Sequence, residues 1–220
     1  MQEHSPSHFQ LRKPKISLPY KHMSVQRIIS WFMRFFALVG ILTCVLVGFI
    51  YYQGYAATKA FDPQFPHFLG RFLQNSITND VISALVIKYP LSEGVKPKQA
   101  IKSMKSVAKR LNIKFIDNYP IYKEIRKATK NKEAAYVEIF HFCDAKTAAA
   151  LLNYNPDYSI HMPCKITLYK DTDGQVWLAT LDLNLLIYGA RNLDKETKIK
   201  ALKIQDGLLK IMGAGASGAV

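Results

Sequence analysis

Acidic residues are scarce in this chain of 220: sixteen Asp and Glu stand against thirty Lys and Arg, a net charge of +14. That excludes an acidic surface and leaves anionic lipid headgroups, an acidic protein or nucleic acid as charge-complementary partners. Cysteine is nearly absent, with three residues, too few for a disulfide-dense scaffold. Catalytic signatures are missing as well. There is no Walker sequence, no HExxH and no Ser/His/Asp spacing, and no pair of acids stands apart for acid–base work. Enzymatic activity therefore has no support at this level. Gly213, Gly215 and Gly218 match G-x-G-x-x-G, but they come after a helix at the chain end instead of linking a strand to a helix, which excludes a phosphate cradle. Residues 213–220 read as a flexible tail. Asp171, Asp173 and Gly174 begin like a calcium loop and lack its later acid, so they read as a turn.

One long stretch lacks charge altogether: 35–52 is eighteen residues of Phe, Ala, Leu, Val, Gly, Ile, Thr, Cys and Tyr. With Phe32 added it approaches the roughly 20 residues needed to span a hydrocarbon core of about 30 Å. A transmembrane helix is expected over 32–52, with Arg34 snorkelling to the headgroups and aromatic belts at Trp31 and at Tyr51, Tyr52 and Tyr55. Arg12, Lys13, Lys15, Lys21 and Arg27 precede it with Glu3 as their only acid, so 1–31 reads as a basic cytoplasmic tail. The positive-inside bias then exports the rest of the chain, placing the C-terminal domain in the periplasm of a bacterial inner membrane. The competing reading is a cleaved signal peptide, with Gly54 and Ala56 ahead of a cut at Ala57. A tail this long and a girdle this aromatic suit a retained span better than a signal core of about 7 to 15 apolar residues.

Beyond the span, twenty-four basic residues still face fifteen acidic ones after Arg34, so the exported part is itself cationic. Nucleic acid is set aside because the domain lies across the membrane from it. Membrane lipid contacts the anchor, and a protein partner or self-association is expected for the domain. Residues 53–79, with Pro63 and Pro66 among many aromatics, read as a juxtamembrane linker with a short helix near 67–74. Its Phe61, Phe65, Phe68 and Phe72 lie either against the bilayer surface or over the domain. An α+β domain is expected over 80–212. Strands are expected at 81–89, 113–119, 134–142, 164–170 and 175–181, the last two joined by the hairpin signal Asp-Thr-Asp-Gly. Helices are expected at 97–111, 121–129, 144–153, 183–188 and 194–212. Five strands interspersed with helices imply two layers around a mixed or antiparallel sheet.

The stretch EIFHFCDAKTAAALLNYNPDYSIHMPCKITLYKDTDGQVWLATLDLNLLI, residues 138–187, resembles the family catalogued as domain of unknown function 302. The likeness rests on a strand ending Phe-x-Phe-Cys, a helix, Met-Pro-Cys opening the next strand, and an acidic hairpin. It implies a compact α+β domain that often self-associates, found alone and behind export signals, with no established activity.

The most suggestive constellation of side chains is His141, Cys143, His161, Met162 and Cys164. Soft sulfur and imidazole ligands of this kind suit Cu(I) or Zn, although no cofactor is required by any other feature. Cys143 and Cys164 equally suit a disulfide in an oxidising compartment, or unlinked packing. Geometry decides among the three. A parallel crossover would put the two cysteines at opposite sheet ends, whereas the ten residues 154–163 are long enough to return the chain and make the strands antiparallel. Cys143 also precedes a helix, whose positive end is expected to depress its thiol pKa.

Overall fold

The computed structural model describes residues 25–219. The basic tail expected over 1–31 therefore lies almost wholly outside the described residues, Arg12, Lys13, Lys15 and Lys21 included. Two compact units are present, divided between Tyr55 and Ala56. The described part of the first lies in α1 (Val25–Thr58), one uninterrupted helix whose last three residues fall beyond the division. Its stretch Gln26–Ala56 is long and apolar enough to cross a membrane, and Trp31, Phe36, Leu42, Val45 and Ile50 all stand exposed on it.

The second unit begins with α2 (Phe65–Thr78) and one helical turn, α3 (Val81–Ala84). Next in the chain are β1 (Val86–Pro90), α4 (Pro97–Arg110), β2 (Lys114–Tyr119), α5 (Ile121–Thr129) and β3 (Val137–Cys143). After these come α6 (Ala145–Tyr154), a 3-10 turn (Pro156–His161), β4 (Cys164–Lys170), β5 (Val176–Leu181), α7 (Asn184–Tyr188) and α8 (Lys195–Ser217). The five strands form one sheet in the order β1-β5-β4-β3-β2, and every pairing is antiparallel. The α+β reading with a five-stranded sheet is thus the observed one, its antiparallel form chosen over the mixed one.

The second layer is made of helices. Met104, Val107 and Ala108 from α4 and Ile204, Leu208, Ile211 and Met212 from α8 close over Phe140, Phe142, Ile166, Leu168 and Leu178 of the sheet. Alternation produces this inward set, because every second residue of a strand faces the same side. In β3 the buried residues are Glu138, Phe140 and Phe142, while Val137, Ile139, His141 and Cys143 turn to the other face. Each apolar chain removed from water here contributes roughly 1.5–3 kcal/mol.

Three expectations are corrected by this structure. The strand expected from Val81 starts at Val86, because Asp80 accepts hydrogen bonds from the amide and hydroxyl of Ser83 at 2.6 and 3.1 Å and turns 81–84 into a helical cap. The short helix expected near 67–74 runs over Phe65–Thr78, so 53–79 is not a linker throughout: Pro66 lies in the first turn, where no amide is needed, and opens the helix. Its half-buried positions 65, 68, 69, 72 and 76 repeat at helical spacing, and Phe68 stacks on Tyr188 at 4.4 Å, so these aromatics cover the domain.

The third correction concerns 213–218, which is not a flexible tail; Val220 lies outside the described residues. α8 continues to Ser217 and ends on Gly218 at φ 68. Gly215 and Ala216 are buried there, and the Ala216 carbonyl accepts from the Ser92 amide at 2.8 Å. Gly215 allows a close approach: a β-carbon at that position would stand 2.7 Å from Cγ of Met104 and 2.8 Å from Cδ1 of Leu178. The glycines that resembled a nucleotide motif are packing residues.

Candidate functional site

β3 ends at Cys143 and β4 begins at Cys164, with Phe142 directly opposite Cys164 across the antiparallel ladder. The connection runs through α6 and the 3-10 turn, so the chain returns to the same sheet end. There the cysteines meet a small cavity of about 50 Å³ between the sheet end, α6, α7 and α8. Its walls are mostly aliphatic, Leu151, Leu186, Ile187 and Ile204 among them, and they also include Cys143, Cys164, Met162 and His161. Met162 joins Pro163 through a cis peptide bond. His161 also borders two larger grooves of about 300 and 340 Å³, so its imidazole sits where three openings adjoin.

Four of the five residues picked from the sequence therefore share one wall, and His141 does not. It lies on the opposite sheet face, where Nδ1 pairs with Oδ1 of Asp117 at 2.5 Å. The period of two turns it away from the core rings of Phe140 and Phe142; Cys143 has the same parity but is the last residue of β3, at the sheet end where α6 begins, and so borders the cavity. Among the described residues no three of His, Cys, Asp and Glu come close enough to hold a metal ion. The five-ligand set is thus not assembled. What the cavity offers is two thiols with a nearby thioether, a donor set that fits Cu(I) better than four-coordinate zinc.

The thiols are not bonded to one another. Burial pushes the Cys164 thiol up to about 11, and the neighbouring Cys143 adds to the rise. Cys143 is also raised, by burial first and the Asp144 carboxylate second, against a smaller opposing effect of Lys114. The expected depression by the helix end is therefore corrected. Asp144 caps α6, accepting from the Lys146 amide at 3.1 Å and the Thr147 hydroxyl at 2.9 Å, so its own carboxylate occupies the positive end. Because the thiolate is the nucleophile, alkylation of Cys164 should stay slow at neutral pH and climb toward a midpoint near 11. A pH–rate profile by iodoacetamide labelling and mass spectrometry measures this; a plateau below about pH 9, the ordinary thiol range, would contradict the burial described.

The sequence reading missed a polar cluster on the inner face of β3. Glu138 is buried and accepts from Nδ2 of Asn118 at 2.5 Å and from the Tyr136 hydroxyl at 2.8 Å. Burial and then that carboxylate hold the Tyr136 phenol well above its usual range. Glu138 was visible as a charged residue in phase with Phe140 and Phe142, an inward polar position that requires partners. Which partners satisfy it depends on the β2–β3 register, and that is interrupted between Phe115 and Asn118.

The fold and the cavity define a two-layer antiparallel α+β domain with a thiol-lined apolar pocket at one sheet end. Residues 87–214 match the family described as Domain of unknown function DUF302, and the chain belongs to that family. A solved structure described as an uncharacterized conserved protein DUF302 from Bacillus stearothermophilus is similar to it. The TM-score is 0.49 and the identity 18%, covering 59% of this chain and 97% of that one. No curated protein matches. Every residue lining the cavity lies inside the matched span, whereas α1, α2 and α3 precede it.

Proposed function

We propose that the chain is a membrane-tethered, non-enzymatic accessory or interaction module of a bacterial inner membrane, a small subunit or assembly factor of a larger complex. The observation that carries this is the apolar helix over Gln26–Ala56, present in the same chain as a folded DUF302 domain. Arg27 and Arg34 at its N-terminal end, together with the basic residues before them, favour a cytoplasmic N-terminus and a periplasmic domain. Its partners are then membrane lipid at the helix and a protein, or a second copy, at the domain. Protease treatment of spheroplasts against inverted vesicles tests the orientation, and the mass of the mature chain separates a retained helix from a cleaved signal. Crosslinking before mild detergent extraction tests the association. A free monomer after crosslinking overturns the module reading.

A second reading, a Cu(I)-binding or thiol-redox protein, is favoured by one specific observation: Cys143, Cys164, Met162 and His161 border the same cavity. A bound Cu(I) ion would be held by the two sulfurs as thiolates, replacing protons that burial otherwise retains. Metal content and a count of free thiols on the full chain, isolated from an oxidising compartment, test it. Two free thiols at these positions without metal, and no phenotype in the Cys143→Ser, Cys164→Ser double variant, would remove its support.

A further inference from the structure

The hairpin formed by α2 and α3 carries aliphatic side chains that the domain does not cover. Leu73 is 50% exposed, Ile77 85%, Val81 54% and Ile82 71%. Leu73 and Ile77 are one helical turn apart on a flank of α2, roughly 100° around from the stripe of Phe68, Phe72 and Ser76, and Val81 and Ile82 extend the same hairpin beyond its turn. Aliphatic exposure of this kind, gathered in ten residues, marks an interaction site more than chance scatter does.

We infer that this tip rests in the headgroup region of the bilayer to which the chain is anchored, a deduction that builds on the membrane-anchor reading. Two observations choose lipid as the occupant. First, Ser76, Thr78, Asn79 and Ser83 turn their polar groups back on their own segment, while the Gln74 and Asn75 amides stay exposed. The Ser76 hydroxyl donates to the Phe72 carbonyl at 2.8 Å and the Thr78 hydroxyl to the Gln74 carbonyl at 3.1 Å. Nδ2 of Asn79 donates to Oγ1 of Thr78 at 3.2 Å, and Asp80 takes both the amide and the hydroxyl of Ser83. Hydroxyls and amides satisfied internally lower the desolvation cost of the aliphatic tip, and the Asp80 carboxylate and the Gln74 and Asn75 amides limit it to the hydrated headgroup layer. Second, the six residues 59–64 between α1 and α2 reach at most roughly 20 Å and Ile77 lies about 18 Å further along α2, so the tether keeps the tip within reach of the bilayer surface. A tethered contact of this kind competes at a high effective concentration, which a free partner does not have. The tip is uncharged from Leu73 to Ile87 apart from Asp80, and it lies outside the 87–214 family span except for that last residue. It belongs, with α1, to what this chain carries in addition to the family domain.

The test uses the full chain in vesicles of phosphatidylethanolamine and phosphatidylglycerol, with acyl chains brominated near the headgroup as quenchers. Three chains are compared: wild type, Trp31→Phe, whose emission is that of Trp177 alone and is subtracted from the others, and Trp31→Phe with Ile77→Trp. Ile82→Trp replaces Ile77→Trp as a second variant; both sites are exposed, so the substitutions leave the fold intact. The added tryptophan should emit to the blue of its position in detergent-free water and lose at least half its intensity to the brominated lipid. A water-like, unquenched emission from both variants overturns the inference, while quenching of Trp31 in the wild type shows that the anchor itself is inserted. A blue-shifted emission that brominated lipid leaves unquenched also overturns it, since protein and not lipid then covers the tip. Loss of Trp31 quenching in the wild type instead defeats the anchor reading and, with it, this one.

Discussion

Replacing Gly215 by valine is expected to lower the unfolding free energy of the domain by about 3 kcal/mol, among the larger single-residue effects this fold can show. A β-carbon alone would approach Cγ of Met104 and Cδ1 of Leu178 to within 2.8 Å, and Met104 and Leu178 are both fully buried. Two buried side chains must both shift to admit that carbon, and valine adds two more methyl groups. The better helix propensity of a residue other than glycine offsets about 0.5 kcal/mol of the loss. For a domain of this size the melting temperature should fall by roughly 10 °C. Gly207→Ala is the informative control. Its added carbon meets Cδ1 of Ile113 at 2.5 Å, the far end of a side chain that can rotate, so most of the cost is recovered and the change should stay within about 1 kcal/mol. Equal melting of Gly215→Val and wild type would mean that the last turns of α8 are not seated between α4 and β5.

Leu42→Arg together with Leu46→Arg should release the chain from the membrane. Leucine favours the centre of a spanning helix by about 0.5 kcal/mol and arginine opposes it by roughly 2.5 to 3.5, so each substitution costs about 3 kcal/mol and the pair about 6. Both positions are exposed on α1, so no packing partner is lost and the change acts on insertion alone. Alkaline carbonate extraction separates the outcomes: wild type remains with the membrane and the double variant moves to the supernatant. If the variant still sediments with lipid, α1 is not what holds the chain there.

The elements read most surely from the sequence are those specified by local pattern. α4 is specified by Pro97 and by Met104, Val107 and Ala108 at helical spacing, and the β4–β5 hairpin by Asp171 and Gly174, whose φ is 88. In that turn Asp171 accepts from the amides of Asp173 and Gln175 and from Nε1 of Trp177, a network that a short sequence window already contains. The misread segments are those where a local signal competed with a distant one. Val81 to Ala84 has the β-branched composition of a strand, yet the Asp80 cap and the packing of α3 on α2 hold it helical. Gly213 to Ser217 looked too small and flexible to order, yet it is helical and seats Gly215 against Met104 and Leu178, where a larger residue would not fit.

The candidate site divides in the same way. Cys143, Met162 and Cys164 were recognisable as soft side chains flanking a helix, and the antiparallel return that joins them was one of two geometries consistent with the connection length. His141 was grouped with them by nearness in sequence, but it lies back from the sheet end on the face turned from the core, where it pairs with Asp117. By itself the sequence determined the apolar helix, the basic balance and the α+β class, which depend on composition and short-range periodicity, and its Phe-x-Phe-Cys and Met-Pro-Cys motifs carried the resemblance to the family. Only the tertiary structure decided the sheet order, the thiol-lined cavity, the burial that raises both cysteine pKa values and the exposure of Ile77 and Ile82. Those properties are set by which residues far apart in the chain exclude water from one another, and no local window carries that information.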